Sequence, residues 1–191
     1  MHVSPAVAAA AVARLMQRFQ AGETTFHDLH LVAADLRHAQ LPFICLIDAQ
    51  MQQANLSHAF MPGADLIRAR LVGSQLIGTN LMGADLLRAN LHRANLQRVL
   101  LSGGQLVGAD LSEADLQDAC LGSTQLNGVN LRHANLCGAN LRGANLRGAD
   151  LRGAILRHTI LDGASLVGAL MSDGTYQEDL SLVVEDEVAI A

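Results

Sequence analysis

Eighteen carboxylates, thirteen arginines, eight histidines and three cysteines are the side chains of this 191-residue chain that could do chemistry. Hydrolysis or group transfer needs a nucleophile, a base and an orienting group in reach of one another, and a metal centre needs ligands at characteristic intervals. The chain contains no nucleophile–base–orienter set, no Walker-type loop and no zinc spacing. Asp and Asn instead recur in steps of five, as at Asp85, Asn90 and Asn95. A repeat position explains them, so no catalytic residue, metal or cofactor is expected, and the protein is not expected to be an enzyme.

The element that positions these residues is a repeat, which has to be recognised before any local pattern is read. Leu131 to Gly153 runs LRHANLCGANLRGANLRGADLRG, with Leu at 131, 136, 141, 146 and 151. A period of five matches neither a helix nor a strand. Counted in both directions, the frame holds without a slip from Phe26 to Met171, and 26 of its 30 positions are Leu. The residue two before each is mostly Ala. One large and one small apolar residue per pentad suit a narrow continuous core, while the other three positions carry residues that belong in water. The chain must therefore turn a corner every five residues, with coils stacked about 4.8 Å apart.

Glycine marks the corner. Thirteen of the 17 Gly lie two residues after the central Leu. A type II turn needs positive φ at its third residue, where Gly carries no steric penalty. Pentads with Arg88, Arg93, Arg98 or His133 at that place are expected to use type I turns.

The motif A-(D/N)-L-x-x, as in Ala84-Asp85-Leu86, Ala94-Asn95-Leu96 and Ala144-Asn145-Leu146, resembles the pentapeptide repeat proteins. Such a repeat body behind a short helix is similar in style to many cyanobacterial members. The resemblance implies an all-β solenoid: a right-handed β-helix of square cross-section with four pentads per coil. Residues 24–171 would then make about seven coils and a rod roughly 35 Å long at the β spacing.

Two flanks frame the repeat. In residues 1–23, SPAVAAAAVARLMQRFQ from Ser4 reads as a capping helix. Ser4 suits the N-cap, Pro5 the first helical position and Gly22 the place past the end, and Val7, Ala11, Leu15 and Phe19 share a face. A secretory leader is disfavoured, because no basic residues precede the Ala run and Arg14 and Arg18 follow it. A solenoid end needs cover, since it exposes its Leu column and unpaired backbone. Leu29 and Ile44, wider than the usual Ala, fit a first coil built to receive the helix. The C-terminal segment 172–191 leaves the pattern and mixes six acids with Leu180, Leu182, Val183, Val184, Val188 and Ile190. It reads either as a loose acidic end or as a segment that covers the open end or pairs with another subunit.

The chain's net charge is −5, but the repeat body holds 11 acids and 11 Arg. A neutral body is no footprint for nucleic acid, and no membrane partner is expected. Cys45, Cys120 and Cys137 point outward on three faces, which favours a reducing, cytoplasmic setting.

With four pentads per coil, residues 20 apart stack. Ile47, Ile67, Leu87 and Val107 form one outward column, and Phe43 and Phe60 fall on the preceding face with Pro42 and Pro62. These residues are the candidate partner surface. Arg132, Arg142, Arg147, Arg152 and Arg157 form a basic collar that reads first as solvated Arg ladders and second as a contact for a phosphate or acidic partner. Arg93/Glu113 and Arg98/Asp118 should pair across coils, and His38 and His58 should stack without making a metal site. The expected function is that of a scaffold or protein-interaction module, with another protein or a second copy as partner. Docking would use an end of the rod or the apolar corner. A second reading comes from the resemblance, because some members mimic duplex DNA and inhibit or protect DNA gyrase. The neutral body argues against it, although acids do cluster at Asp110, Glu113, Asp115 and Asp118.

Overall fold

The computed structural model describes residues 3–177. From Thr25 to Leu170 the backbone forms one uninterrupted parallel ladder in which residue i bridges residue i + 20, beginning with Thr25–Cys45 and ending with Asp150–Leu170. Twenty residues per coil and five per corner make four sides. Each side holds a single bridging residue between two-residue corners, with no extended strand. Side one carries Cys45, Asp65 and Asp85, and side two Gln50, Arg70 and Asn90. Side three carries Asn55, Gln75 and Asn95, and side four Gln40, Phe60, Asn80 and Leu100.

Backbone hydrogen bonding dictates this arrangement. In one pentad Leu86 N–H donates to Gln105 (2.7 Å), Arg88 to Val107 (3.1 Å), Ala89 to Leu86 (2.9 Å) and Asn90 to Ala69 (2.9 Å). The remaining N–H, on Leu87, donates to Asp85 Oδ1 at 2.9 Å. The same side-chain bond recurs at Asn55–Ser57, Asn90–His92 and Asn145–Arg147. Asp or Asn before the Leu thus closes an Asx turn around the corner amide that the ladder leaves over. Gln40 and Phe60 cannot do this. Two residues after each stands a proline, Pro42 and Pro62, with no N–H to satisfy.

All corners share one conformation. Every corner residue from Asp28 to Gly168 has positive φ, thirteen glycines and sixteen others. The expected type I corners do not occur: φ is 54° at Arg88, 56° at Arg93, 55° at Arg98 and 57° at His133. The cause is the ladder. The corner N–H must reach the carbonyl one coil on, as Arg93 reaches Ser112 at 3.0 Å, and a different turn would aim it elsewhere. Left-handed backbone costs a non-glycine residue about 1 kcal/mol or more, and each bond it preserves belongs to a continuous stack. No Val, Ile or Thr is among the sixteen, which agrees with the severe penalty on branched side chains there.

Leu, Met and Ala fill the interior in an unbroken cluster. The hydroxyls that replace Ala are satisfied inside: Ser74 donates to the Leu71 carbonyl at 2.7 Å, Thr79 to Leu56 at 2.8 Å and Thr124 to Leu121 at 2.6 Å. At the N-terminal end lies α1 (Pro5–Gln20), with Ser4 as its cap. Val7 does not belong to its buried face and is 61% exposed. The rest of the expected face does pack, Leu15 buried and Ala11 and Phe19 against the core, and Ala8, Val12 and Met16 join it. Leu29 lies beneath the helix beside Ala11 and Leu15, whereas Ile44 is wholly buried in the core. At the helix C-terminus Glu23 N–H donates to the Arg18 carbonyl and Gly22 N–H to that of Phe19, with Gly22 at φ 93°. Arg18 also ion-pairs Glu23 and lies 4.7 Å over the Phe26 ring, which ties the helix to the first coil.

Past Met171 the chain turns back on itself. Leu170 bridges Tyr176 antiparallel, and Gly168 donates to the Gln177 carbonyl. The expectations for the rest of the C-terminal segment, residues 178–191, lie outside the described residues.

Candidate interaction surface

The 20-residue register separates the candidate apolar residues into two stripes. Phe60 stands on side four, and Pro42, Phe43 and Pro62 occupy the corner that follows it. Ile47, Ile67, Leu87 and Val107 lie one corner further on, half-buried, with Cys45, Asp65, Asp85 and Gln105 between the stripes. The first stripe is the more prominent: Phe43 is 72% exposed and Phe60 40%. Met82 and Leu100 extend it and are also exposed. Neither belongs to the surface expected from the sequence, although Met82 stands one coil after Pro62 and Leu100 two coils after Phe60.

Phe43 is held in place rather than splayed. Its ring lies against the next corner, where a Cβ on Gly63 would come within 2.7 Å of Cδ1. Corner side chains elsewhere do the same, with His58 against Gly78, Asp118 against Gly138 and His133 against Gly153. At three corners that no glycine follows, a charged partner does: Asp48 with Arg68 at 2.5 Å, Arg93 with Glu113 at 2.8 Å and Arg98 with Asp118 at 3.9 Å. The His38 and His58 rings stack 5.4 Å apart, almost parallel.

Of the basic collar, Arg132 and Arg152 converge on Asp150, at 3.7 Å and 2.6 Å. The Arg152 hydrogen bond, above all, holds the Asp150 carboxyl at about 2. Arg142, Arg147 and Arg157 face solvent, with no carboxylate in ion-pair range among the described residues. Cys45, Cys120 and Cys137 are free thiols. Among the described residues no His, Cys, Asp and Glu cluster has the makings of a metal site, and no helix is long and apolar enough to cross a membrane.

Known proteins carry the same repeat. The profile of the family "Pentapeptide repeats" matches eight copies, over residues 49–87, 89–124, 124–163 and 134–173. Among solved structures, Rfr23 of the cyanobacterium Cyanothece 51142 is 46% identical, with 45% of this chain and 58% of that one aligned at TM-score 0.45. The alignment thus spans little more than half of that protein's length. A pentapeptide repeat protein of the Arabidopsis thaliana thylakoid lumen is 30% identical over 56% of this chain and 70% of its own, at TM-score 0.43. QnrB1, a plasmid-mediated fluoroquinolone resistance protein, is 17% identical over 78% of this chain and 75% of its own, at TM-score 0.34. No curated protein matches the sequence. The unbroken pentad ladder and the profile match together make this chain a member of the pentapeptide repeat family, whose fold is the right-handed quadrilateral β-helix.

Proposed function

We propose that the protein is a non-enzymatic scaffold that docks another protein along the ridge formed by Phe43, Phe60, Pro62, Met82 and Leu100. The observation that carries this reading is Phe43, an aromatic ring 72% exposed yet pinned on Gly63. A ring already held in one pose loses little freedom on binding, and large exposed apolar patches mark contact sites. The ridge rides on a rod of about seven coils capped by α1, which would present it rigidly. Ile47, Ile67, Leu87 and Val107 would border the contact. Three unpaired thiols suit a reducing, cytoplasmic setting. The test is affinity capture with wild type and Phe43→Asp/Met82→Asp. Loss of specific partners with unchanged melting temperature is expected, and identical partners and identical oligomeric mass would overturn the reading.

A DNA-mimicking role toward DNA gyrase finds less support. Its acids are engaged within the rod: Glu113 with Arg93 and Asp118 with Arg98, while Asp115 accepts from Gln97 at 2.6 Å and Asp110 from Asn130 at 2.9 Å. A supercoiling assay at micromolar protein is expected to show neither inhibition nor drug protection.

A further inference from the structure

The ridge at Phe43 and Phe60 has borders of opposite charge. Along one border side one carries Asp65 and Asp85, with Ile67 and Leu87 half-buried beyond them. Along the other, the corner ahead of side four carries the stacked rings of His38 and His58. Arg98, itself 3.9 Å from Asp118, follows two coils on. Each aspartate of the first border uses Oδ1 for a backbone amide, Asp65 for Ile67 at 3.2 Å and Asp85 for Leu87 at 2.9 Å. Among the described residues, Asp65 Oδ2 meets only the Cys45 thiol, at 4.0 Å, and neither carboxylate has a base in ion-pair range. Arg68 is near enough to feel the Asp65 charge, but Asp48 already holds it through two hydrogen bonds, at 2.8 and 2.5 Å.

We propose, resting on the docking-ridge reading above, that the partner presents an amphipathic α-helix lying along the rod. Its apolar face covers Phe43, Phe60, Met82 and Leu100, and its Lys/Arg flank lies over Asp65 and Asp85. Periodicity favours a helix. Ridge residues recur at the coil spacing of about 4.8 Å, and a strand returns a side chain to one face only about every 6.7 Å. A helix does so about every 5.4 Å. Over the three coil steps from Phe43 to Leu100 the helix drifts from register by about 2 Å, and the strand by nearly 6 Å. The relief also suits helical side chains. A Cβ on Gly83 would meet nothing within 4 Å, so open space stands beside the exposed Met82 for an apolar residue to enter. Charge then fixes how the helix is turned. A basic flank meets carboxylates on side one, and the reverse rotation would set it against His38, His58 and Arg98. Each such pair contributes little by itself, so the apolar face supplies affinity and the aspartates supply choice of partner.

The test uses two synthetic helical peptides of roughly three turns that share one Leu/Met face, one with Lys and the other with Glu along the flank. Fluorescence anisotropy measures their binding to wild type, to Asp65→Asn/Asp85→Asn and to Phe43→Asp/Met82→Asp. Asn keeps the bond to the corner amide, as Asn55 and Asn90 do, and removes only the charge. Wild type should bind the Lys peptide at least about tenfold more tightly than the Glu peptide. The Asn variant should bring the two within about twofold and lose most of the salt dependence, and the Phe43→Asp/Met82→Asp variant should bind neither. Equal affinity of wild type for both peptides, or an unchanged preference in the Asn variant, overturns the inference. So does failure of wild type to bind the Lys peptide. A wild-type mass that rises with concentration, and no longer does so in Phe43→Asp/Met82→Asp, would assign the ridge to a second copy and overturn it as well. The docking-ridge reading fails separately, through affinity capture that Phe43→Asp/Met82→Asp leaves unchanged.

Discussion

The two ends of the rod solve the same problem with unequal means. Any stack of coils terminates in a cross-section of leucines and an edge of unpaired backbone groups. At the N-terminal end α1 lies on that cross-section: Leu15 is 1% exposed and joins the core cluster, and Phe26 is buried beneath Arg18. At the C-terminal end a six-residue turn seals one side, and Leu156 and Leu161 remain half-buried. The helix brings side chains and a complete set of backbone bonds of its own, so it covers apolar area without needing the ladder. The turn continues the ladder, so it satisfies backbone along one side and leaves leucine uncovered. Termination of the backbone and termination of the core are thus separate requirements in a solenoid.

The strongest test sets an interior leucine and the two end leucines side by side. Leu141→Asp buries a charge with no partner at 0% exposure and should cost more than about 4 kcal/mol, or abolish folding. Leu15→Ala removes a side chain as buried as the interior ones and should cost roughly 2–4 kcal/mol. Leu161→Ala, at the half-covered end, should cost about 1 kcal/mol. Chemical unfolding of the three variants ranks them. Equal losses at Leu15 and Leu161 would mean that the C-terminal end is covered as fully as the N-terminal one.

The leucine and alanine columns were legible in the sequence because a fixed environment demands a fixed residue, and the core repeats identically. The capping helix was legible through Ser4, Pro5 and Gly22, although its face was misplaced at Val7, since an Ala-rich helix carries a weak apolar stripe. The uniform corner was not legible. Glycine pointed to positive φ only where it stood, while the conformation is imposed by a hydrogen bond between coils that no single pentad displays. The role of Asp and Asn was hidden for the same reason, because their target amide is identified only once the other four donors are assigned. Met82 and Leu100 are placed by the register, but nothing in their own pentads marks them as exposed. An exposed ridge stands out only when all four sides are compared, and the binding partner of that ridge leaves no trace in a repeat built for stacking.

Corners measure how tightly each region is held. A Cβ at Gly83 would meet nothing within 4 Å, so Gly83→Ala isolates the left-handed penalty, about 1 kcal/mol. At Gly163 the added carbon would just touch the Gly143 nitrogen at 4.0 Å, so sterics are equally mild. Among the described residues, however, its own N–H has no following coil to bond, so the corner can relax. Gly163→Ala should therefore cost less than Gly83→Ala, by roughly half a kcal/mol. Melting temperatures decide this, and equal costs would show a last coil as firmly fixed as the middle of the rod.

The smallest effect compares two carboxylates in the same local motif near opposite ends. Asp35 accepts from Arg37 and Asp150 from Arg152, each through both guanidinium and backbone, and both carboxyls are held at about 2. Both values lie below the ordinary carboxylate value of about 3.9. Each pair therefore stabilises the fold above roughly pH 4, and the contribution fades as pH falls toward 2. The surroundings differ. The Asp35 side chain is 58% exposed with one arginine in ion-pair range, whereas Asp150 is 22% exposed and also has Arg132 at 3.7 Å. Removing the near arginine should consequently act unequally. Arg37→Ala should return Asp35 toward the ordinary range, while Arg152→Ala should leave Asp150 partly depressed by Arg132, with stability changes below about 1 kcal/mol in both cases. Carboxyl titration followed by NMR resolves the two. An equal rise at both sites would mean that Arg132 contributes nothing, and that the basic collar holds its charge for something outside the rod.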